Sequence, residues 1–135
     1  MRTVLIVEDS GFCQDALEVA LKDLEGVRVW AVTSAEAALA RIKVDDVCAI
    51  VTDLHLASRG GLHPDHMDGF ELIAAVRSRP NHTTLPILVI SGDTDPVTPL
   101  RLKQLGADAF FAKPFSPLAV RQKLEQLIHD SHRNP

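Results

Sequence analysis

Glu8-Asp9, Asp53 and Lys113-Pro114 each stand where an apolar run of about five residues stops. Carboxylates hold hard cations and an ammonium holds an anion, so these residue types suit a site for a divalent cation and a negatively charged group. Phosphate is the obvious anion. In an open α/β sheet the carboxyl ends of parallel strands form the edge where ligands bind. If the three apolar runs are neighbouring strands, three carboxylates and one ammonium share one pocket. Three carboxylates share a site only at a cost near neutral pH, and a divalent ion relieves their repulsion.

Apolar runs alternate with helical patterns along the chain, as expected of a parallel sheet covered on both faces. The predicted strands are Val4-Val7, Val27-Val32, Ala49-Thr52, Ile87-Ile90 and Ala109-Ala112. Phe12, Ala16, Leu17, Ala20, Leu21 and Leu24 recur at helical spacing. Thr33 and Glu36 form a T-x-x-E capping box ahead of Ala35, Ala38, Leu39 and Ile42. Phe70, Ile73, Ala74 and Val76 mark a third helix. Asp95-Pro96 and Ser116-Pro117 pair an N-cap with a following proline and should open the fourth and fifth helices. The fifth carries Leu118, Val120, Leu124, Leu127 and Ile128 and is expected to end near His129. The fold class is therefore α/β, a doubly wound single domain over residues 1–130 with a frayed tail at 131–135.

The length, 135 residues, suits one domain with a core of its own. A net charge of −4 argues against nucleic acid or an anionic membrane as partner. Cys13 and Cys48 have no metal-ligand spacing and read as free thiols of a reducing compartment. The N-terminus does not resemble a signal peptide, and no apolar stretch reaches the ~18 residues a membrane span needs. A soluble cytoplasmic domain is expected. The segment from Leu54 to Met67 is aperiodic, with Gly60-Gly61, Pro64 and three histidines. It exceeds the usual α/β connection of about 2–6 residues, which marks it as functional or mobile.

Together these residues resemble a response regulator receiver domain of two-component signalling. The resemblance runs through Ile6-Val7-Glu8-Asp9, Val51-Thr52-Asp53, Met67-Asp68-Gly69-Phe70-Glu71-Leu72, Leu85-Pro86-Ile87, Ile90-Ser91-Gly92, Gly106-Ala107-Asp108 and Lys113-Pro114-Phe115. Any one piece is weak, and Glu8-Asp9 alone reads better as a solvated turn with a helix N-cap. Their order, spacing and placement at strand ends are specific. The resemblance implies a flavodoxin-like (βα)5 fold with a five-stranded parallel sheet in the order 2-1-3-4-5. It implies phosphorylation of Asp53 by the phosphohistidine of a histidine kinase or histidine phosphotransfer protein. Mg²⁺, which takes hard oxygen ligands and keeps waters and phosphate around it, is the implied cofactor. Asp9 and Asp53 would bind it directly, Glu8 through water, and His55 by its backbone carbonyl. Lys113 would bond the phosphoryl oxygens, aimed inward by a cis bond to Pro114. Ser91 would be the switch hydroxyl. Phe110 would be the switch aromatic that rotates inward with it, although an ordinary core role suits Phe110 equally well. Gly92 would leave room for both.

The chain departs from the family pattern in one region. The Asp-Gly step, about eight residues after the phosphoacceptor in the family, here places Gly69 sixteen residues after Asp53. Leu56-Ala57 stands where Met-Pro is usual, with Pro64 displaced. His55, His63 and His66 with Asp65 read as solvated histidines rather than a transition-metal site, because their spacing is irregular. His55 lies two residues beyond Asp53, so it and the insertion are expected to tune how long a phosphoryl group survives there.

The expected function is a phosphorylation-controlled switch that catalyses only its own phosphorylation and dephosphorylation, not a turnover enzyme. Phosphorylation would repack the face made by the fourth helix, fifth strand and fifth helix. That face would gain or lose a downstream partner, a second copy of the chain among the candidates. Two other readings remain open. One is a degenerate receiver acting as a phosphorylation-independent interaction module. The other is a Mg²⁺-dependent aspartyl phosphohydrolase, whose second acid is usually two residues after the nucleophile, where this chain has His55.

Overall fold

The computed structural model describes residues 1–56 and 67–133. Strands β1 (Arg2–Val7), β2 (Val27–Val32), β3 (Val47–Asp53), β4 (Ile87–Ser91) and β5 (Ala109–Ala112) alternate with helices α1 (Gly11–Leu21), α2 (Ala35–Val44), α3 (Gly69–Arg77), α4 (Thr98–Leu105) and α5 (Pro117–Arg133). The strands pair in parallel in the order β2-β1-β3-β4-β5. The sheet and its order match the sequence expectation. Among the described residues no helix is long and apolar enough to cross a membrane.

Continuous hydrophobicity in the strands has a simple cause, since both faces of the sheet are covered. Alternate residues of β1 serve opposite layers. Leu5 and Val7 join Ile50, Val89, Ile73 and Leu102 beneath α2, α3 and α4. Val4 and Ile6 join Val51, Ile90, Leu17 and Leu124 beneath α1 and α5. All seven residues of β3 are buried, which makes Asp53 the charged end of an otherwise uncharged strand. Cys13 and Cys48 are free thiols, and burial pushes that of Cys48 up from its ordinary value.

Several local expectations shift. The cap of α2 is Ser34, not Thr33: its hydroxyl accepts from the Ala37 N–H at 3.1 Å. Glu36 then stands one position too early to reach back to the cap, and its carboxylate accepts from the Met67 N–H at 2.8 Å instead. A reciprocal capping box does exist at α3, between Asp68 and Glu71. Helix α4 starts at Thr98 rather than beside Pro96. The Asp95 carboxylate bonds the N–H two residues ahead, Val97 at 3.0 Å, and so makes a turn rather than a helix cap. Ser116 caps α5 as expected, accepting from Ala119 at 3.2 Å, but that helix runs past His129 to Arg133. Phe12 is 85% exposed and Leu118 62% exposed, and Ala74 also faces out, because each falls just off the apolar stripe of its helix.

The long connection after β3 closes at its base. The Gly69 N–H donates to the Leu54 carbonyl at 2.8 Å, so residues fifteen positions apart beside Asp53 meet directly. A Cβ on Gly69 would overlap the Asp53 carbonyl oxygen and come within 2.6 Å of the Leu54 Cα, both of them backbone. Glycine is required there by close approach. Gly69→Ala should therefore cost about 1–3 kcal/mol in denaturant unfolding. Gly11→Ala, where a Cβ meets nothing within 4 Å, should stay within about 0.5 kcal/mol of the parent. Equal stability of the two variants would remove steric closure as the reason for Gly69.

Candidate functional site

Because β1, β3, β4 and β5 all run the same way, their carboxyl ends deliver Glu8, Asp53, Ser91 and Lys113 to one edge of the sheet. Asp53 is 6% exposed. Its Oδ1 accepts from the Leu54 N–H at 2.6 Å and the His55 N–H at 3.3 Å, while Oδ2 accepts from Lys113 Nζ at 2.8 Å. Lys113 Nζ also lies 3.1 Å from Glu8 Oε2. The Lys113–Pro114 peptide bond is cis.

Glu8 is the more confined acid, at 1% exposure. Oε1 accepts from the Ser10 N–H at 3.0 Å. Oε2 is buried and paired with the Lys113 ammonium by charge, without the alignment of a hydrogen bond. Burial pushes the Glu8 carboxyl up from its ordinary value and the charge of Asp53 adds to this, against the Ser10 N–H and Lys113. For Lys113, burial works against the ammonium, but the hydrogen bond to Asp53 and then the ion pair with Glu8 more than offset it and raise its pKa. The lysine remains charged across the physiological range.

Asp9 is exposed beside this pair. Glu8, Asp9 and Asp53 each offer a carboxylate oxygen, all within 4.8 Å of one another. A buried oxygen that lacks a hydrogen bond, within a cluster of hard oxygen donors, fits a divalent cation such as Mg²⁺.

Ser91, at the end of β4, is fully buried and its Oγ accepts from the Asp93 N–H at 3.1 Å. A Cβ on Gly92 would point toward Lys113, with its Cβ the nearest atom at 4.0 Å. Phe110 is half-buried on the α4 side of the sheet, packed against the core that holds Leu102. His55 Nε2 lies 3.2 Å from Asp93 Oδ2, joining the segment after β3 to the segment after β4. His63, Asp65, His66 and the rest of the 57–66 insertion lie outside the described residues.

Two features were missed from the sequence. One is the His55–Asp93 pair, whose members are far apart in the chain but each two residues past a strand end. The other is an apolar groove of about 550 Å³ lined by Phe12, Cys13, Ala16, Pro114, Phe115 and Pro117 together with Lys113. Helical spacing placed Phe12 near the core stripe and gave no sign that it stands out from it.

The response regulator receiver domain family model matches residues 4–125. The transcriptional regulatory protein KdpE of Staphylococcus aureus is 33% identical over 132 residues, which is 96% of this chain and 52% of that protein. The chain thus spans about half the length of that relative. A crystal structure of a response regulator from Chloroflexus aurantiacus aligns at 30% identity, covering 95% of this chain and 98% of that one, with a TM-score of 0.80. The chemotaxis response regulator CheY4 of Vibrio cholerae aligns at 28% identity over 94% and 98% of the two chains, with a TM-score of 0.78.

The raised Glu8 carboxyl has a consequence for stability. It binds its proton more tightly folded than unfolded, so ionising it costs stability as pH rises above its ordinary 4.5. Glu8→Gln should melt above the parent at pH 7, with the gap closing as the pH falls below 4.5. A lower melting point at pH 7 would mean that the pairing with Lys113 dominates instead. Mg²⁺, binding only the folded chain, should stabilise the parent by about 1.4 kcal/mol at ten times its dissociation constant. Thermal melts of Asp9→Ala should lose most of that gain.

Proposed function

The chain belongs to the response regulator receiver family, and on that premise we propose that Asp53 is its phosphoacceptor, taking a phosphoryl group from the phosphohistidine of a partner protein. The observation that carries this reading is the direct 2.8 Å bond between the Lys113 ammonium and the Asp53 carboxylate at the strand-end edge. An oxygen of Asp53 attacks phosphorus as the phosphorus–nitrogen bond breaks. The electron pair of that bond leaves with the imidazole, which takes up a proton. Such a transfer needs little beyond alignment and cancellation of charge.

The chain's own groups divide this work. The N–H groups of Leu54 and His55 hold Oδ1 and fix the carboxylate's orientation. Lys113 lies against Oδ2, where an incoming phosphoryl oxygen meets a compact positive charge. Glu8, Asp9 and Asp53 would hold Mg²⁺, which supplies further positive charge to the phosphoryl oxygens. Ser91, whose Oγ now only accepts a bond, has a hydroxyl proton to donate once a phosphoryl oxygen arrives. A protein that uses Asp53 this way is a switch. His55, two residues on and bonded to Asp93, sets how readily water reaches the acyl phosphate.

The groove beside Lys113 suits the donor. Its apolar wall starts at the exposed Phe12 and ends at the lysine that touches Asp53. A helix of the donor seated on it would bring an imidazole toward Asp53 while burying Phe12 and Leu118, both exposed in the free chain.

Incubated with Mg²⁺ and acetyl phosphate, the parent should gain one phosphoryl group by intact mass, removable by hydroxylamine, while Asp53→Asn gains none. Lys113→Met should label at least about a hundredfold more slowly. A parent that never labels would return the chain to a phosphorylation-independent interaction module, and rapid turnover without an adduct would make it a hydrolase. Phe12→Asp should label normally with acetyl phosphate yet lose transfer from its phosphohistidine donor by at least about tenfold. Equal losses with both donors would remove the groove from docking.

A further inference from the structure

The two edges of the sheet, β2 and β5, offer their backbones unequally. The Val32 carbonyl accepts from the Glu8 N–H just after β1, and the register between β1 and β2 is unbroken. In such a ladder the backbone groups of Arg28, Trp30 and Val32 point toward β1, and those of Val27, Val29 and Ala31 point away from it. Among the described residues nothing is bonded to the outward three. By the same rule the Lys113 N–H, bonded to the Ser91 carbonyl, leaves two outward residues on the shorter β5, Phe110 and Ala112.

Sheet edges are commonly blunted by lysine, proline, a bulge or a covering element. The sequence of β2, VRVWAV, has no lysine or proline, and its register shows no bulge. Both flanks of the strand are open as well. On the α1 side, a cleft of about 420 Å³ is lined by Glu18, Val19, Lys22 and Val29, with Val19 64% exposed. On the α2 side Trp30 is 41% exposed, and the Arg41 guanidinium lies 3.8 Å from its ring centroid. Arg28, two residues before Trp30 and so on the same face, reaches Asp45 at 3.1 Å and is still partly in solvent.

We propose that β2 pairs antiparallel with β2 of a second copy of this chain, about a twofold axis at Val29, joining two five-stranded sheets into one. In that register Val29 faces the partner's Val29 and Val27 faces the partner's Ala31, so every outward residue exchanges both of its backbone bonds. Trp30 comes opposite the partner's Arg28, an aromatic ring beside a guanidinium. Glu18 and Lys22 stand one helical turn apart beside the axis, which sets each Glu18 near the partner's Lys22 and covers Val19. Among the described residues neither has an ion pair inside its own chain. Moving the axis to Arg28 would set two guanidiniums against each other and leave Ala31 unpaired, which fixes the register. Because β2 and β5 are opposite edges, the dimer leaves the face of α4, β5 and α5 uncovered. The pairing needs neither Mg²⁺ nor a phosphoryl group.

Sedimentation velocity of the full chain, from about 1 μM to about 1 mM without Mg²⁺ or a phosphoryl donor, should show monomer passing to dimer. Val29→Pro removes the outward N–H at the axis but no bond to β1, so it should weaken the dimer at least about tenfold while melting remains cooperative. Glu18→Lys and Lys22→Glu, which lie off the strand, should each weaken it at least about fivefold, and the double exchange should restore parent affinity. These charge exchanges decide the matter alone where Val29→Pro fails to fold. A chain that stays monomeric over the whole range overturns the proposal. A dimer of unchanged affinity in Val29→Pro, or in both single exchanges, places the contact elsewhere and overturns it too. A double exchange as weak as the single ones overturns the register and the pairing built on it.

Discussion

The ammonium of Lys113 is the constraint on which this fold's polar edge depends. Glu8 and Asp53 are almost fully buried at neighbouring strand ends, and two carboxylates so placed repel one another in a poorly solvated pocket. Lys113 bridges them at 3.1 and 2.8 Å, and their combined negative charge keeps the lysine protonated. The arrangement remains short of balance, since burial still pushes the Glu8 carboxyl up and its Oε2 has no hydrogen bond. A site in that condition favours more positive charge and more oxygen-seeking ligands. That residual demand is what makes it receptive to a divalent cation.

The parallel sheet makes this crowding unavoidable and useful. Strand polarity delivers each residue that follows an apolar run to the same edge, so the chemistry follows from topology plus strand length. The same logic explains why the insertion after β3 does not disturb the acids. Gly69 meets Leu54 at the base of the connection, and Met67 is held by Glu36 of α2. Both ends of the connection are thus held, and adding residues between held ends costs little entropy.

The parts of the molecule legible in the sequence are those governed by one-dimensional patterns. The three central strands, buried nearly throughout, read as apolar runs, as do the two edge strands, and Glu8, Asp9, Asp53, Ser91 and Lys113 could be placed from where the runs of β1, β3, β4 and β5 stop. The cap of α5 was legible because Ser116-Pro117 is a purely local signal. Patterns failed where geometry at the scale of one residue decides. Ser34 took the cap expected at Thr33, and Asp95 spent its carboxylate on a turn. Phe12 and Leu118 match helical spacing yet lie outside the buried stripe, because spacing gives a period and not its phase against the sheet. His55–Asp93 and Arg77–Gly106 were invisible for another reason: each joins residues about thirty or more positions apart whose types are ordinary on a surface.

Those long-range polar contacts also decide which parts of the site edge can move. A contact that a water molecule can replace holds a helix only until a better partner arrives, whereas a half-buried guanidinium with four bonds has no equivalent alternative. Ser91 lies beside the first kind, through Asp93, and the far end of α4 is tied by the second, through Arg77. The sheet between them is packed on both faces and deforms little. Among the described residues, the C-terminal end of α4 is therefore the more firmly tied of its two ends.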